Sequence, residues 1–336
     1  MAGEGVQGPR SDKAILPRRA VCLLPLVLIA GCTGRQSALA PAGEDAAQLK
    51  LLLLVMLAGA VVLWLALNGL FYYVTRIRPG AFHIRHANRL IIGAGVIFPT
   101  VLIGALLAWG LSIMPGQRAP GDGLVIRVKA EEWWWRVEYW PQGSDAPITS
   151  ANEIRLPTGS RTELRLTANL YIHSLWIPAL GGKMDMIPGR ETVLTLHPQA
   201  AGTYRGQCAE FCGASHALMA FETVVMEPDA FAEWLRAEAA PAAAPGGAGA
   251  ALFRDEGCGA CHTIRGTDFA GTVGPDLTHL ASRVSLGAGI MQVSRDDLKR
   301  WIAHTGDIKP EVAMPAYDWL SDADLDHLAT YLEGLR

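Results

Sequence analysis

The chain carries no excess of basic charge. Its 29 lysines and arginines stand against 32 acidic residues, for a net charge of −3, and nucleic-acid partners, which need a basic patch or stripe, are set aside. Cysteine is sparse. The six cysteines fall into three settings, Cys22 with Cys32, Cys208 with Cys212, and Cys258 with Cys261. If each pair has chemistry of its own, none remains for a structural disulfide, even in an oxidising compartment. Charge of either sign is scarce, and two stretches, Leu51 to Thr75 and Leu90 to Pro115, contain none. Half of the 336 residues are hydrophobic. A chain of this length and composition reads as membrane segments plus two soluble domains.

The N-terminus has the layout of a targeting segment. Arg18 and Arg19 precede an apolar run, Ala20 to Ala30, that ends in Ile29-Ala30-Gly31-Cys32. The run is too short to span a bilayer, which needs about 20 residues, and it fits a charged, apolar, small-residue export signal over residues 1–31. It resembles a bacterial lipoprotein signal, which implies lipidation of Cys32; an ordinary secretory signal is the alternative. Residues 32–48 then lie outside the cell, and 49–115 form a transmembrane hairpin. Each charge-free stretch reaches about 37 Å as a helix, enough for a hydrocarbon core of about 30 Å. The connection carries Arg76, Arg78, Arg85 and Arg89 and no acid, which places it in the cytoplasm and both ends of the hairpin outside.

From Gly123 to about Val225 the pattern changes to short β-forming runs such as Leu124–Lys129, Arg161–Thr167 and Glu191–Leu196, separated by Gly, Pro and Asn. Strands at this spacing predict a sandwich or barrel, assigned to residues 120–238 and closed by a helix over Pro228–Ala239. Residues 239–250 are an Ala/Pro/Gly tract that cannot build a core and reads as a linker. Residues 251–336 read as helical. Ser321-Asp322-Ala323-Asp324 is a near capping box, and Leu325, Leu328, Leu332 and Leu335 supply an apolar face.

The segment Cys208-Ala209-Glu210-Phe211-Cys212-Gly213-Ala214-Ser215-His216-Ala217-Leu218-Met219 concentrates two thiols, an imidazole and a thioether. Soft sulfur ligands select copper, and imidazole suits it. Two thiols four residues apart are placed to bridge two metals, and His173 is the best-placed second imidazole. A tetrahedral zinc site would use two Cys and two His but gives no reason for Met219.

At these residues the chain resembles subunit II of cytochrome c oxidase. The family order of His-Ser (His173-Ser174), Lys-x-Asp-x-Ile-Pro-Gly-Arg (Lys183 to Arg190) and Cys-x-Glu-x-Cys-Gly-x-x-His-x-x-Met (Cys208 to Met219) is met element by element. The resemblance implies a cupredoxin-like barrel holding the binuclear CuA centre. In it Cys208 and Cys212 bridge, His173 and His216 bind one copper each, Met219 is a weak ligand, and the backbone carbonyl of Glu210 is the sixth. It also implies a magnesium ion shared by the Glu210 side chain at the boundary with subunit I. In Glu131-Glu132-Trp133-Trp134-Trp135-Arg136-Val137-Glu138-Tyr139, Trp133 matches the family's electron-entry tryptophan. Neighbouring strand residues face opposite ways, so part of this cluster is expected at an interface, while packing is an equal reading for Trp134 and Trp135. One departure stands out. Ile92 occupies the position where many relatives carry a glutamate linked to proton entry.

Cys258-Gly259-Ala260-Cys261-His262 is a c-type haem attachment motif, with two thioether cysteines and a proximal histidine. A redox-active dithiol would not require His262. Met314, followed by Pro315 and set before the last helix, is the expected distal ligand; Met291 is the alternative. His279, His304 and His327 read as surface or packing residues.

The fold class expected is therefore multidomain: a two-helix transmembrane hairpin, an all-β cupredoxin-like barrel and an all-α class I cytochrome c domain, similar to caa-type oxidases. The resemblance implies an electron-transfer subunit of a terminal respiratory oxidase in a bacterial cell membrane, with both soluble domains outside. Electrons pass from cytochrome c, or from a cytochrome bc complex, through haem c and CuA to the subunit I that reduces O2, with subunit III as a further partner. The alternatives are the electron-entry subunit of a CuA-containing nitric oxide reductase and a non-catalytic copper shuttle.

Overall fold

The computed structural model describes residues 33–80, 83–243 and 245–336. The export signal, Cys22 and Cys32 lie outside the described residues. Helix α1 (Glu44–Tyr72) continues through a π-helical turn (Tyr73–Ile77), and the chain returns through α2 (Ile84–Ile92), a second π turn (Gly93–Ile97) and α3 (Phe98–Ile113). The two continuous helices span 34 and 30 residues, and their most apolar windows are unburied by the rest of the protein. They are long and apolar enough to cross a membrane. Pro99 explains the second π turn, because its ring clashes with the carbonyl four residues back and the ladder must widen to admit it.

Both helices start earlier than hydropathy suggests. The return helix begins at Ile84, with Arg85 and Arg89 inside it, because the His83 side chain caps it by accepting from Arg85 N at 3.3 Å. The outgoing helix begins at Glu44, where Glu44 and Asp45 place negative charge on its positive end.

The barrel is built from β1 (Val125–Glu131), β2 (Trp134–Trp140), β3 (Ile148–Ala151), β4 (Glu153–Pro157), β5 (Thr162–Ala168), β6 (His173–Trp176), β7 (Met184–Met186), β8 (Thr192–Leu196), β9 (Gly202–Cys208) and β10 (Ala220–Met226). They form two five-stranded sheets, ordered β3-β2-β1-β5-β8 and β4-β10-β9-β6-β7. Strict alternation sets the inner faces. On β2, Trp135, Val137 and Tyr139 are buried, while Trp134, Arg136, Glu138 and Trp140 are only partly so. These pack against Leu164, Leu166, Ile154, Leu156 and Phe221 in one core. Helix α4 (Pro228–Ala239), with proline at its first position, covers the barrel through Phe231 and Trp234.

The C-terminal domain comprises α5 (Ala248–Asp255), α6 (Arg295–Ala303), the single turn α7 (Thr305–Ile308) and α8 (Asp322–Glu333). Ser294 and Ser321 cap α6 and α8 by accepting from Asp297 N and Asp324 N. Leu325, Leu328, Leu332 and Leu335 are buried, as the periodicity predicts. Helix α5 starts three residues before the expected Ala251. Gly249 permits this by lying against α8, where a Cβ would come within 2.2 Å of the His327 carbonyl oxygen.

The two soluble domains are docked. Arg155 Nη2 donates to Ser282 O at 3.0 Å, Val284 N to Glu153 Oε2 at 2.7 Å, Arg205 Nη1 to Gly289 O at 3.0 Å and Arg136 Nη2 to Thr272 O at 2.8 Å. The Ala/Pro/Gly tract is itself held, with Ala242 N donating to Arg265 O and Ala240 O facing His279 Nε2. At the other end of the barrel, Arg161 Nη1 reaches both Asp45 at the start of α1 (3.4 Å) and Gly116 O just past α3 (2.8 Å).

Candidate functional site

Two strands and one turn assemble the first site. His173 opens β6, Cys208 closes β9, and the chain then turns through Cys212 and a 3-10 turn (His216–Leu218) into β10. His173 Nδ1 lies 3.7 Å from Cys208 Sγ, which lies 3.7 Å from Cys212 Sγ, which lies 3.6 Å from His216 Nδ1. Two sulfurs thus stand side by side between two imidazoles. Cys208, Cys212 and His173 are buried, and among the described residues they are the group of His, Cys, Asp and Glu side chains converging closely enough to hold a metal. Cys208 Sγ also meets Glu210 O at 3.2 Å. Met219 is buried beside them, its carbonyl accepting from Cys208 N. The Glu210 carboxylate points elsewhere, 3.5 Å from Lys183 Nζ. Trp135 meets His173 edge-on, with centroids 6.4 Å apart, and meets Phe221 edge-on at 5.0 Å, so the imidazole is steadied from the core.

The protonation of the thiols bears on what fits here. The hydrogen bond with Cys212 draws Cys208 down to about 3, against its burial. The same contact, with burial, pushes Cys212 up. One proton is shared, and a second thiolate needs a compensating cation. A buried dithiol flanked by two Nδ1 atoms suits soft, positively charged metal, and the residues fit copper.

The second site is a cleft of about 1410 Å³ of non-atom space, part of it open to solvent. Cys258, Cys261, His262 and Met314 share its wall with apolar side chains such as Leu298 and Leu328. His262 Nδ1 lies 2.8 Å from Pro275 O, and burial lowers the imidazole pKa. The ring is therefore neutral, with Nδ1–H donated to the carbonyl and Nε2 left as a lone-pair donor. Gly274 is required beside it, because a Cβ there would stand 2.7 Å from His262 Cε1. A large apolar slot, a basic imidazole nitrogen and two unpaired cysteines fit a haem. Met291 takes no part in this wall; it is buried in the domain core and pairs with Leu286.

Trp133 connects the two sites. It is buried, its Nε1 donates to Cys212 O at 2.9 Å, and with Trp134 it lines the cleft of the C-terminal domain. The interface expected for this aromatic cluster therefore lies within the chain, with Arg136 stacked 4.7 Å over Trp134. Sequence reasoning missed Lys309, a buried lysine at the domain boundary. A single lysine between Ile308 and Pro310 carries no local signal of burial.

Fold and sites define a membrane-anchored redox protein with a metal-binding cupredoxin-like domain and a cytochrome domain. The family model described as cytochrome C oxidase subunit II, periplasmic domain, matches residues 138–227, and that described as cytochrome c matches residues 247–336. Cytochrome c oxidase subunit 2 of Alkalihalophilus pseudofirmus is 29% identical over 329 residues, covering 92% of this chain and 94% of its own length. The protein of the same description from Bacillus subtilis is 31% identical over 255 residues, covering 72% of this chain and 70% of its own length. The chain belongs to the cytochrome c oxidase subunit 2 family and is a subunit of an oxidoreductase whose two domains imply copper and haem.

Proposed function

We propose that the chain is an intramolecular electron relay for a terminal oxidase, taking electrons from cytochrome c, or from a cytochrome bc complex, and passing them to the subunit I that reduces O2 to water, with subunit III alongside. Bound haem c and the binuclear CuA centre supply one-electron carriers at the two sites. Cys258 and Cys261 would hold the first through thioethers, with His262 and Met314 as the ligands to its iron. Cys208 and Cys212 would hold the copper pair between them, His173 and His216 would each hold one metal, and Met219 and the Glu210 carbonyl would complete the set. The Glu210 carboxylate, turned away from the thiols and 3.5 Å from Lys183 Nζ, would be the group to share a magnesium ion with subunit I. Ile92 has no ionisable group, so that position cannot relay a proton. The hairpin lies in a bacterial cell membrane with the Arg76–Arg89 connection inside and both soluble domains outside.

The observation that carries the reading is Trp133. Its indole forms part of the wall around His262 and Met314, and its N–H is bonded to the carbonyl of Cys212, so a single side chain spans the gap. The test is rapid mixing of the purified complex with reduced cytochrome c, reading haem and copper separately. In Trp133→Phe, reduction of the haem keeps its rate while reduction of the copper slows at least about tenfold, the scale of losing one positioned contact. Copper reduction at the wild-type rate overturns the route, and a complex that consumes nitric oxide but not oxygen overturns the acceptor.

A further inference from the structure

Lys309 is the one lysine among the described residues that is fully buried, at 2% exposure, and it makes no ion pair there. Its ammonium instead donates to two carbonyls, Leu218 O and Gly287 O, both at 2.9 Å. Gly287 belongs to the C-terminal domain, whereas Leu218 sits in the barrel between His216 and Met219. Two flanking bonds cross the same seam: Ser215 Oγ donates to Pro310 O at 2.6 Å, and Ala220 N to Ala288 O at 3.0 Å. The turn from Ser215 to Ala220 is thus held at three points that bracket two of the candidate copper ligands. Lys309 also lines the cleft that holds His262, Met314 and Trp133. Burial pulls its pKa down to about 7 against the influence of Cys212, and two carbonyls rather than an ion pair hold the side chain in place. Burying an amine without a counter-charge is unfavourable in itself, and here its hydrogen bonds tie two domains together.

We propose that Lys309 is a positioning residue for haem-to-copper electron transfer, clamping the turn that carries His216 and Met219 onto the domain that carries His262 and Met314. The Ala/Pro/Gly tract keeps the domains near each other; Lys309 sets the separation and orientation across which the electron moves. This rests on the relay reading, and the experiment separates the two. In the intact complex, Lys309→Met keeps side-chain length and removes the donors, and Lys309→Gln returns a neutral donor. Haem absorption and the copper electron paramagnetic resonance signal establish that each site is loaded. Two quantities are then read: the rate of copper reduction after rapid reduction of the haem, and hydrogen exchange at the Ala220 amide. Lys309→Met is expected to slow copper reduction about tenfold or more, as small misplacements do, to speed exchange at Ala220 and to leave haem reduction unchanged, with Lys309→Gln intermediate. Wild-type transfer and exchange in Lys309→Met overturn the proposal. Should Lys309→Met not fold, wild-type values in Lys309→Gln overturn it. A wild-type complex with no haem-to-copper transfer overturns the relay reading alone, and the exchange at Ala220 still decides the clamp.

Discussion

The two candidate redox sites are built on opposite plans. In the barrel the ligand atoms stand within 3.7 Å of one another along the chain from His173 through Cys208 and Cys212 to His216, and the core closes over them. In the C-terminal domain the corresponding residues are spread around an open cleft, with Cys261 at the surface. The candidate copper site lies within a packed core, so the barrel should hold its fold without a metal. The candidate haem site is a cleft walled by core side chains such as Leu298 and Leu328, so the packing of this domain should depend on the group held there.

The sharpest break of this contrast is to remove each cofactor's attachment in turn. Cys258→Ala with Cys261→Ala is expected to abolish covalent haem and leave the C-terminal domain open to proteolysis, with the copper resonance persisting. Cys208→Ser is expected to erase the delocalised copper signal, while haem absorption and the thermal transition of the barrel stay close to wild type. Equal damage to both folds would show that the sites do not differ in this way.

Smaller changes sharpen the comparison. Arg161→Ala leaves the Asp45 carboxylate, 2% exposed, without its partner. A broken buried pair costs about 3 kcal/mol or more, so the transition of the barrel should fall while both spectra remain. Gly274→Ala forces a methyl against His262, at a cost of about 1–3 kcal/mol for overpacking; the haem potential should shift and the copper signal should not. Smallest is the contrast between two methionines. Met314→Leu should lower the haem potential by removing the thioether that would serve as the second ligand to iron. Met291→Leu, a volume-conserving core swap, should cost less than about 1.5 kcal/mol and leave the potential alone.

What could be read from the residues alone follows from whether the cause is local. The strands of the barrel and the helix Pro228–Ala239 were legible because alternation and a first-turn proline act within a few residues. The convergence of Cys208, Cys212 and His216 was legible because these soft donors are nearly contiguous, and that of His173 with them because the motif gave it a place. Hydropathy alone cuts the return helix short at Arg89, whereas the backbone runs on to a cap at His83. The docking of the two domains had no local cause to read. Composition identified a linker, but nothing within Gly287-Ala288-Gly289 signals that it lands on the start of β10, and nothing near Lys309 signals its burial.

Arg161 also has a mechanical meaning. Because one guanidinium gathers an end of each apolar helix, at Asp45 and Gly116, alongside Glu44 against His197 and Ala42 N on Ala179 O, the barrel and the hairpin meet at a shared joint. If the two helices cross a membrane, the height of the Cys208–Cys212 pair above it, and its tilt toward any neighbour there, are set at this joint rather than by the turn that carries the pair. A change at that joint would move the two sulfurs as a rigid lever moves its far end, with every distance between them and the imidazoles preserved.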